Sequence, residues 1–516
     1  MTAATLLPSS SPLLCFRSQN HIDTQNASSY TSIMASPHQY QNKKILFLIP
    51  PSKSPLKFVT CQQPINLAYL AAAVIKEGFP AAIWDYSINE FSENNFIKNI
   101  AMSNPAAIGI HCKTLSIVAG NYLAGIVKKH FPHILTIVGG PHSSALPVET
   151  MEEFPDFDMV VIGEGELTIA QLCREILNAQ DWDNVDGLAY RKEGRIICTG
   201  RRELVKNLDN IDYPARHLLP EGQYDNRHAT RGISPSNHRT TEIFTSRGCP
   251  GKCIFCAANV SFGNCVRFRT ADNVLGEVEE CIARYKYNHI IIQDDTFTLN
   301  KNRVSNILAG FRKLGLKSWS CDSRVDTVSE ELLREMAESG CKKISFGVES
   351  GSEKILKLIE KNISLEQVVQ AVALARASKI DIVECTFIIG SHPDETHDDV
   401  QATWRLIKEI RPDIIAISVI VPYPGTEVYR LMEGRGLINA KKWNDFQIIG
   451  TTPAWRTTNF SSTELLKLQR ELLNRYYFSP GYLIKSMGKF KDMGEIKYFF
   501  RTGLDYATFI IRNKVK

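Results

Sequence analysis

Several features are scarce in this chain of 516 residues, and each absence excludes something. Its longest uninterrupted apolar run, Leu67–Ile75, is nine residues, and a membrane-spanning helix needs about 20. Net charge is small: 60 Lys+Arg against 55 Asp+Glu give +5, too weak a bias to imply a nucleic acid or an acidic membrane as partner. A disulfide framework is missing as well. The 13 cysteines are odd in number and mostly far apart, and a chain this long has no need of such staples. A reducing compartment, with a few cysteines in metal chemistry, is the expectation, and with it a cytoplasmic location. What is present is ordinary for a globular protein: 44% apolar and 22% charged residues exclude a mainly disordered or fibrous chain. The length accommodates two or three domains of roughly 100–200 residues.

Residues 1–42 stand apart. Only Arg17 and Asp23 carry formal charge, and 19 residues are Ser, Thr, Asn or Gln, so the stretch has too little apolar surface to order itself. It reads as a flexible tail or a start displaced from Met34 in preference to a transit peptide, for which a single arginine is thin support.

From Lys43 the pattern alternates. Short apolar runs at Ile45–Ile49, Ala81–Asp85, Ala106–His111, Leu135–Val138 and Met159–Ile162 read as strands. Asn66–Glu77, Ser116–His130 and Leu167–Leu177 have helical spacing. This predicts an α/β domain over 43–200, a doubly wound, Rossmann-like parallel sheet with ligands beyond the carboxyl ends of its strands. Leu188–Arg191 and Arg195–Cys198 resemble a hairpin, and 201–240 is a connector with prolines in Asn207–Pro220. A second βα series fills 241–430, with strands expected at Ile243–Thr245, His289–Gln293, Lys317–Cys321, Lys343–Gly347, Ile382–Ile389 and Ile414–Val419. Six units predict a partial (βα)6 barrel rather than a closed eight-fold one. Residues 431–516 read as a helical, basic segment carrying Lys485, Lys489, Lys491 and Lys497.

The chemistry-bearing motif is Cys249-Pro250-Gly251-Lys252-Cys253-Ile254-Phe255-Cys256. Three thiolates in a Pro/Gly loop can converge on one point. A structural zinc site would want a fourth ligand, often in a second short pair; Cys265 and His238 are available but form no such pair. Cysteine thiolates also hold [4Fe-4S] clusters, and three of them leave one iron open. The spacing favours the cluster.

This triplet, with three and then two residues between its cysteines and Phe255 before the last, resembles the radical S-adenosylmethionine superfamily, and the six-unit series matches that family's partial barrel. The resemblance implies that Asp294 and Asp295 lie where the methionine amino group binds. It places Glu349 and Ser350 at the ribose and methionine carboxylate, Gly390 beside the adenine, and Arg324 at the barrel mouth. Read without the family, Asp294 and Asp295 remain an acid–base pair, a helix cap or amino-group ligands. Gly139-Gly140-Pro141-His142 and Gly163-Glu164-Gly165-Glu166 are similar to the cobalamin-binding domain that precedes the barrel in one branch of the superfamily, as is the connector Tyr213-Pro214-Ala215-Arg216. Without the barrel these glycines would read as tight strand–helix turns. The Asp-x-His-x-x-Gly motif that brings histidine to cobalt in other cobalamin proteins fails at His111, since Gly109 and Thr114 replace its Asp and Gly. The resemblance therefore implies cobalamin with its own base displaced, no histidine on cobalt, and contacts from His111, Thr114 and Leu115 on its lower face, with His142 a turn residue or corrin contact.

The implied function is a cobalamin-dependent radical enzyme. A reduced [4Fe-4S] cluster would cleave S-adenosylmethionine to a 5′-deoxyadenosyl radical, and methylcobalamin would methylate an unactivated carbon, or phosphorus, of a small molecule. An external one-electron donor such as flavodoxin or ferredoxin would supply the electrons. The alternative within the branch is an oxidative cyclase or rearrangement enzyme of the anaerobic tetrapyrrole cyclase kind. A non-catalytic cobalamin sensor is more remote, because it would need no reducible cluster. Cys321, Cys341 and Cys385 read as buried, inert thiols, with a redox role for Cys321 a lesser alternative. Tyr423, Trp443 and Trp455 read as core in preference to a substrate wall.

Overall fold

The computed structural model describes residues 43–51, 62–177, 181–224, 239–447 and 452–487. The leader, His238, Lys489, Lys491 and Lys497 lie outside them. Two sheets organise the described chain. The first is seven-stranded, in the order β2-β1-β3-β4-β5-β6-β7. Strands β1 (Ile45–Ile49), β2 (Ala81–Asp85), β3 (Ala107–His111), β4 (Leu135–Gly139) and β5 (Met159–Val161) are parallel. The hairpin of β6 (Leu188–Lys192) and β7 (Arg195–Cys198) extends the sheet antiparallel beyond β5. Strands covered on both faces must be apolar along their whole length, and Ile45–Leu48 and Ile108 are accordingly buried. The 2-1-3-4-5 core is a doubly wound order, with its switch point between β1 and β3.

The short strands β9 (Ser246–Arg247) and β10 (Arg267–Phe268) pair antiparallel around the cysteine loop. The second large sheet is six-stranded and wholly parallel, in the order β15-β14-β13-β12-β11-β8. Its strands are β8 (Thr240–Ile243), β11 (His289–Ile292), β12 (Ser318–Ser323), β13 (Cys341–Glu349), β14 (Ile382–Ile389) and β15 (Ile414–Val419). Strands adjacent in space follow one another in sequence, as a partial barrel requires. Two expectations shift here. The first strand of this unit starts and ends earlier than Ile243–Thr245, because Thr240–Glu242 are polar yet buried and leave no apolar run to read. The helix Glu93–Ser103 was not anticipated, since Phe96 and Ile100 are its only buried residues.

The open edge at β15 is covered by the helix Ser462–Tyr477. The Tyr477 hydroxyl donates to the Ile415 carbonyl at 2.7 Å, and the Gln469 amide donates to the Ile417 carbonyl at 2.7 Å, which satisfies an edge that would otherwise invite pairing. The C-terminal segment also reaches back to the first unit. Trp443 Nε1 donates to Glu153 at 2.7 Å and the Trp443 ring lies edge-on to His142, 4.7 Å between centroids. Trp443 and Trp455 are core residues. The connector is a bolt between the units: Ala215 N–H donates to the Ala68 carbonyl, and Arg216 donates to the Glu242 carbonyl at 2.6 Å while pairing with buried Glu277 at 2.6 Å. No described helix is long and apolar enough to cross a membrane.

Candidate functional site

The cysteine loop follows β9 and leads into the short helix Ala258–Phe262. Gly251 N–H donates to Cys249 Sγ at 3.4 Å. A Cβ on Gly251 would stand 3.4 Å from Cys249 Sγ and 3.8 Å from Cys253 Sγ, so these two thiols flank the glycine. The loop is pinned to the barrel: Ile254 N–H donates to the Ile359 carbonyl at 3.2 Å, and Val428 N–H to the Ile254 carbonyl at 2.9 Å. Cys249, Cys253 and Cys256 are all reduced and half-buried. Burial pushes the Cys253 thiol up and the Cys256 thiol to about 11, so their thiolates need positive charge beside them. Lys361 and Arg324 supply some of it to Cys253. Among the described residues no three His, Cys, Asp or Glu side chains are arranged to hold a single metal ion. In a cluster, by contrast, the cysteines each bind a different iron. The donor set, three free, half-buried thiols within eight residues of one loop, fits an iron–sulfur cluster. Cys265 is exposed and its carbonyl occupies the place that a Cβ on Gly248 would need, 2.5 Å away. Phe255 is half-buried against the barrel core.

The two aspartates after β11 have separate environments. Asp294 is buried and accepts from Thr245 N–H at 2.6 Å, Ser246 N–H at 3.0 Å, Ser246 Oγ at 2.6 Å and Thr245 Oγ1. Four donors fill a carboxylate's capacity, so Asp294 fixes the chain that enters the cysteine loop. Asp295 is surrounded by protein yet open to solvent. Burial, with the nearby charges of Asp294 and Asp322, pushes its carboxyl up to about 6.

At the end of β13 the register with β14 shifts and Glu349 takes φ 71°, an unusual backbone for a residue with a side chain. Its carboxylate accepts from Lys361 Nζ at 2.9 Å, and both side chains are buried. Gly347 makes room for the pair, since a Cβ there would lie 2.7 Å from Glu349 Oε1 and 2.9 Å from Lys361 Nζ. Ser350 is buried, accepting from Ser352 N–H at 3.2 Å and lying 3.3 Å from Thr403 Oγ1. Arg324 forms a two-bond fork to Asp326, at 2.9 and 2.8 Å, and donates to the Lys361 carbonyl at 3.2 Å. Gly390 ends β14 with φ 73° and donates its N–H to Glu395, whose carboxyl burial pushes up to about 8. Cys321, Cys341 and Cys385 are buried, and burial raises the Cys321 and Cys385 thiols well above their usual range.

The first unit has a cleft at the carboxyl ends of β1, β3, β4 and β5, with about 1060 Å³ of open space, part of it facing solvent. His111, Gly139, Gly140, Pro141 and the turn Gly163-Glu164-Gly165-Glu166 line it, whereas Thr114, Leu115 and His142 do not. The glycines differ in kind. Gly140 has φ 117° and a Cβ there would meet the Cys112 carbonyl at 2.4 Å, so the backbone itself requires glycine. At Gly139 a Cβ would meet only Val161, at 3.8 Å, so glycine there keeps the cleft open. That cradle, together with a mainly apolar lining, fits a large flat ligand such as a corrinoid. Burial and Lys113 hold the His111 imidazole down at about 4, so its ring is neutral at pH 7, with Nδ1 3.2 Å from the Asn66 amide nitrogen. Thr114 is buried, Leu115 is exposed, and His142 is buried at 2% with Nδ1 unpartnered.

Glu164 and Glu166 join the two units. Arg247, two residues before Cys249, donates to Glu166 at 2.6 Å and lies 3.2 Å from Glu164. Arg267 grips Glu164 with two bonds, at 2.8 and 2.7 Å. Burial works against the Glu164 charge, and the two arginines outweigh it and hold the carboxyl below its usual range. Neither Arg247 nor Lys361 stood out in the sequence. An arginine in the buried run before the triplet, matched by two acids in a glycine turn, is the signal for the first. Lys361 has none.

Comparison with known proteins agrees with both units. A family model described as the radical SAM superfamily matches residues 243–407, and one described as a B12 binding domain matches 56–173. A protein of Pyrococcus horikoshii named as an uncharacterized methyltransferase is 33% identical over 447 residues, covering 86% of this chain and 94% of that one. An anaerobic magnesium-protoporphyrin IX monomethyl ester cyclase of Rubrivivax gelatinosus is 24% identical over 457 residues, covering 86% and 79%. The solved structure of OxsB, a cobalamin-dependent S-adenosylmethionine radical enzyme, has the same fold: TM-score 0.69, 18% identity, 91% of this chain and 72% of that chain covered. The chain belongs to the radical SAM superfamily, with a B12-binding domain ahead of its radical SAM domain.

Proposed function

We propose that this chain is a cobalamin-dependent radical S-adenosylmethionine methyltransferase acting on a carbon or phosphorus centre of a small molecule. The observation that carries this reading is the seam itself: the cleft of the B12-binding unit and the cysteine triplet are joined through Glu164, Glu166 and Arg247. We assign 43–200 to the cobalamin unit, 201–240 to the connector, 241–430 to the radical core and 431–516 to a C-terminal helical segment.

Cys249, Cys253 and Cys256 would hold the [4Fe-4S] cluster. When bound, the cluster supplies the electron that cleaves S-adenosylmethionine, and cobalamin carries the methyl group. Asp295, open to solvent, accepts from the methionine ammonium, while Asp294 keeps the loop in place. Glu349 keeps one oxygen for a ribose hydroxyl, because Lys361 is bonded to the other. Ser350 and the Gly390 turn shape the same face, with Phe255 behind the cluster and Arg324 beside the thiols. Gly139, Gly140, Pro141, Gly163 and Gly165 would cradle the corrinoid, and His111, at the cleft wall, would contact it. A flavodoxin- or ferredoxin-like donor provides the electrons.

The test is anaerobic reconstitution with iron, sulfide and cobalamin, followed by reductant, S-adenosylmethionine and a small-molecule extract as substrate source. Formation of both 5′-deoxyadenosine and S-adenosylhomocysteine supports methyl transfer. Deoxyadenosine without S-adenosylhomocysteine points to the cyclase or rearrangement chemistry instead.

A further inference from the structure

The two faces of the six-stranded sheet differ in chemistry. One row across it, Ile243, Ile292, Cys321, Ile344 and Val383, is buried and shares a core with Ile307, Leu333 and Val372 of the helices. The next row, Asp322, Ser345 and Glu384, faces the other way and is polar. Asp322 and Ser418 are exposed within their strands, so this face borders open space instead of core. Two residues beyond Asp322 stands Arg324, whose Nη1 lies 3.5 Å from the place of a Cβ on Gly251 in the cysteine loop. The chamber therefore lies one step below the triplet.

Glu242 belongs to this inner face. Its neighbour Thr241 points outward: Arg216 Nε donates to Thr241 Oγ1 at 3.3 Å, and Arg216 pairs with Glu277 of the helix Ala271–Ala283. Glu242 points the opposite way, where the Gln293 side chain hydrogen-bonds it. Its side chain is buried, at 6% exposure, and its Oε1 has no hydrogen-bond partner among the described residues. Lys113 and Arg216 favour its charge from a distance, yet burial pushes the carboxyl up to about 7. A buried oxygen left without a donor costs free energy that a ligand supplying one would restore. Cations on this face are already engaged: Lys343 lies 3.1 Å from Glu384, with both buried, and Arg324 forks to Asp326. A ligand carboxylate or phosphate would meet two acids and these occupied cations. An ammonium would meet the open oxygen of Glu242 and the exposed Asp322.

On the functional reading above, which puts the substrate below the cluster, the geometry points to a substrate that carries a cationic amine, with Glu242 and Asp322 as the residues that select it. The amine donates to Glu242 Oε1 and takes its second countercharge from Asp322. That anchors the nitrogen deep in the chamber and leaves the carbon framework towards the triplet.

The test uses the full chain loaded with cluster, cobalamin and S-adenosylmethionine. Three probes of similar size differ in charge: phenethylamine, phenethyl alcohol and 3-phenylpropionate. Calorimetry at pH 8 is expected to show phenethylamine bound about tenfold more tightly than the other two. Glu242→Gln and Asp322→Asn are each expected to remove that preference while keeping iron content, corrinoid content and S-adenosylmethionine affinity. Glu242→Gln removes a buried charge, so its thermal midpoint is expected to hold or rise, whereas a carboxylate serving only the fold would lower it on removal. Equal affinity for the three probes, tighter binding of the acid, or binding of none of them would overturn the inference, as would loss of S-adenosylmethionine binding in Asp322→Asn. A chain that takes up neither cluster nor corrinoid would overturn the functional reading itself, and the inference with it.

Discussion

The Arg247 guanidinium donates to the Glu166 carboxylate at 2.6 Å, with both side chains buried. The bond crosses from the strand end before the cysteine triplet to the glycine turn of the B12-binding unit. Glu164 in the same turn is taken by Arg247 and Arg267 together. The family resemblance gives this acidic turn to the corrinoid. The turn does line the cleft, but its carboxylates pair with arginines at the seam between the units. A buried pair of this kind is costly to break one-sidedly, and the two units are therefore held in one arrangement.

Glu349 and Lys361 form a second buried pair, next to Cys253. Lys361→Met leaves the Glu349 charge without a partner and should destabilise the protein by about 3 kcal/mol. Adding Glu349→Gln should restore part of that, because the stranded charge is removed. Urea unfolding of the two single variants and the double variant measures the coupling. Additive losses would mean that the pair contributes nothing as a pair.

Neighbouring glycines in the first unit should respond in opposite ways. Gly140→Ala forces a side chain into φ 117° and against the Cys112 carbonyl, and should cost about 1–3 kcal/mol of stability. Gly139→Val meets no backbone conflict, so its thermal midpoint should stay close to that of the parent while cobalamin affinity drops about tenfold or more. Calorimetry and corrinoid titration separate the two. A Gly139→Val variant with parental cobalamin affinity would remove Gly139 from the cradle.

Asp294 and Asp295 should separate in the same manner. Asp294→Ala removes the acceptor of four hydrogen bonds and should lower stability by about 2–4 kcal/mol. Asp295→Asn removes a carboxyl that the fold already holds at about 6, so stability at pH 7.5 should stay level or rise. Its binding of S-adenosylmethionine, measured by calorimetry on the cluster-loaded protein, should weaken about tenfold. Parental binding by Asp295→Asn would place the methionine ammonium elsewhere.

Most strands were legible because parallel strands buried on both faces are plain apolar runs. Ile45–Ile49, Ile382–Ile389 and Ile414–Val419 fall where the sequence puts them. β8 was displaced because its Thr240, Thr241 and Glu242 point polar groups into protein, and a polar buried strand has no such run. The cysteine triplet was legible because its ligands are close in sequence. Lys361 was not, because it follows the helix Glu353–Leu358 with no motif around it, and only the fold turns it back to Glu349 and Cys253. The division of labour between Asp294 and Asp295 was also hidden, since it depends on which carboxylate the Thr245–Ser246 backbone reaches.

Glu395 gives a pH signature. Burial holds its carboxyl proton up to about pH 8 in the folded chain, whereas the unfolded chain releases it near pH 4.3. Between those values the folded state binds more protons, so this group's contribution falls as pH rises, by at most about 1.4 kcal/mol per unit, and levels off above 8. Glu395→Gln removes that slope. The stability of the variant relative to the parent should grow from pH 5 to pH 8 in urea titrations. A constant difference would mean that Glu395 ionises normally.

The most direct test of the account needs no substrate. The full chain, loaded with cluster and cobalamin and reduced anaerobically, is given methyl-labelled S-adenosylmethionine. The account predicts that the label is recovered on the corrinoid, with about one S-adenosylhomocysteine per bound cobalamin, and that Gly139→Val, with its cleft narrowed, lowers both together. An unlabelled corrinoid with no S-adenosylhomocysteine, in protein shown to hold both cofactors, would contradict the methyl-transfer reading.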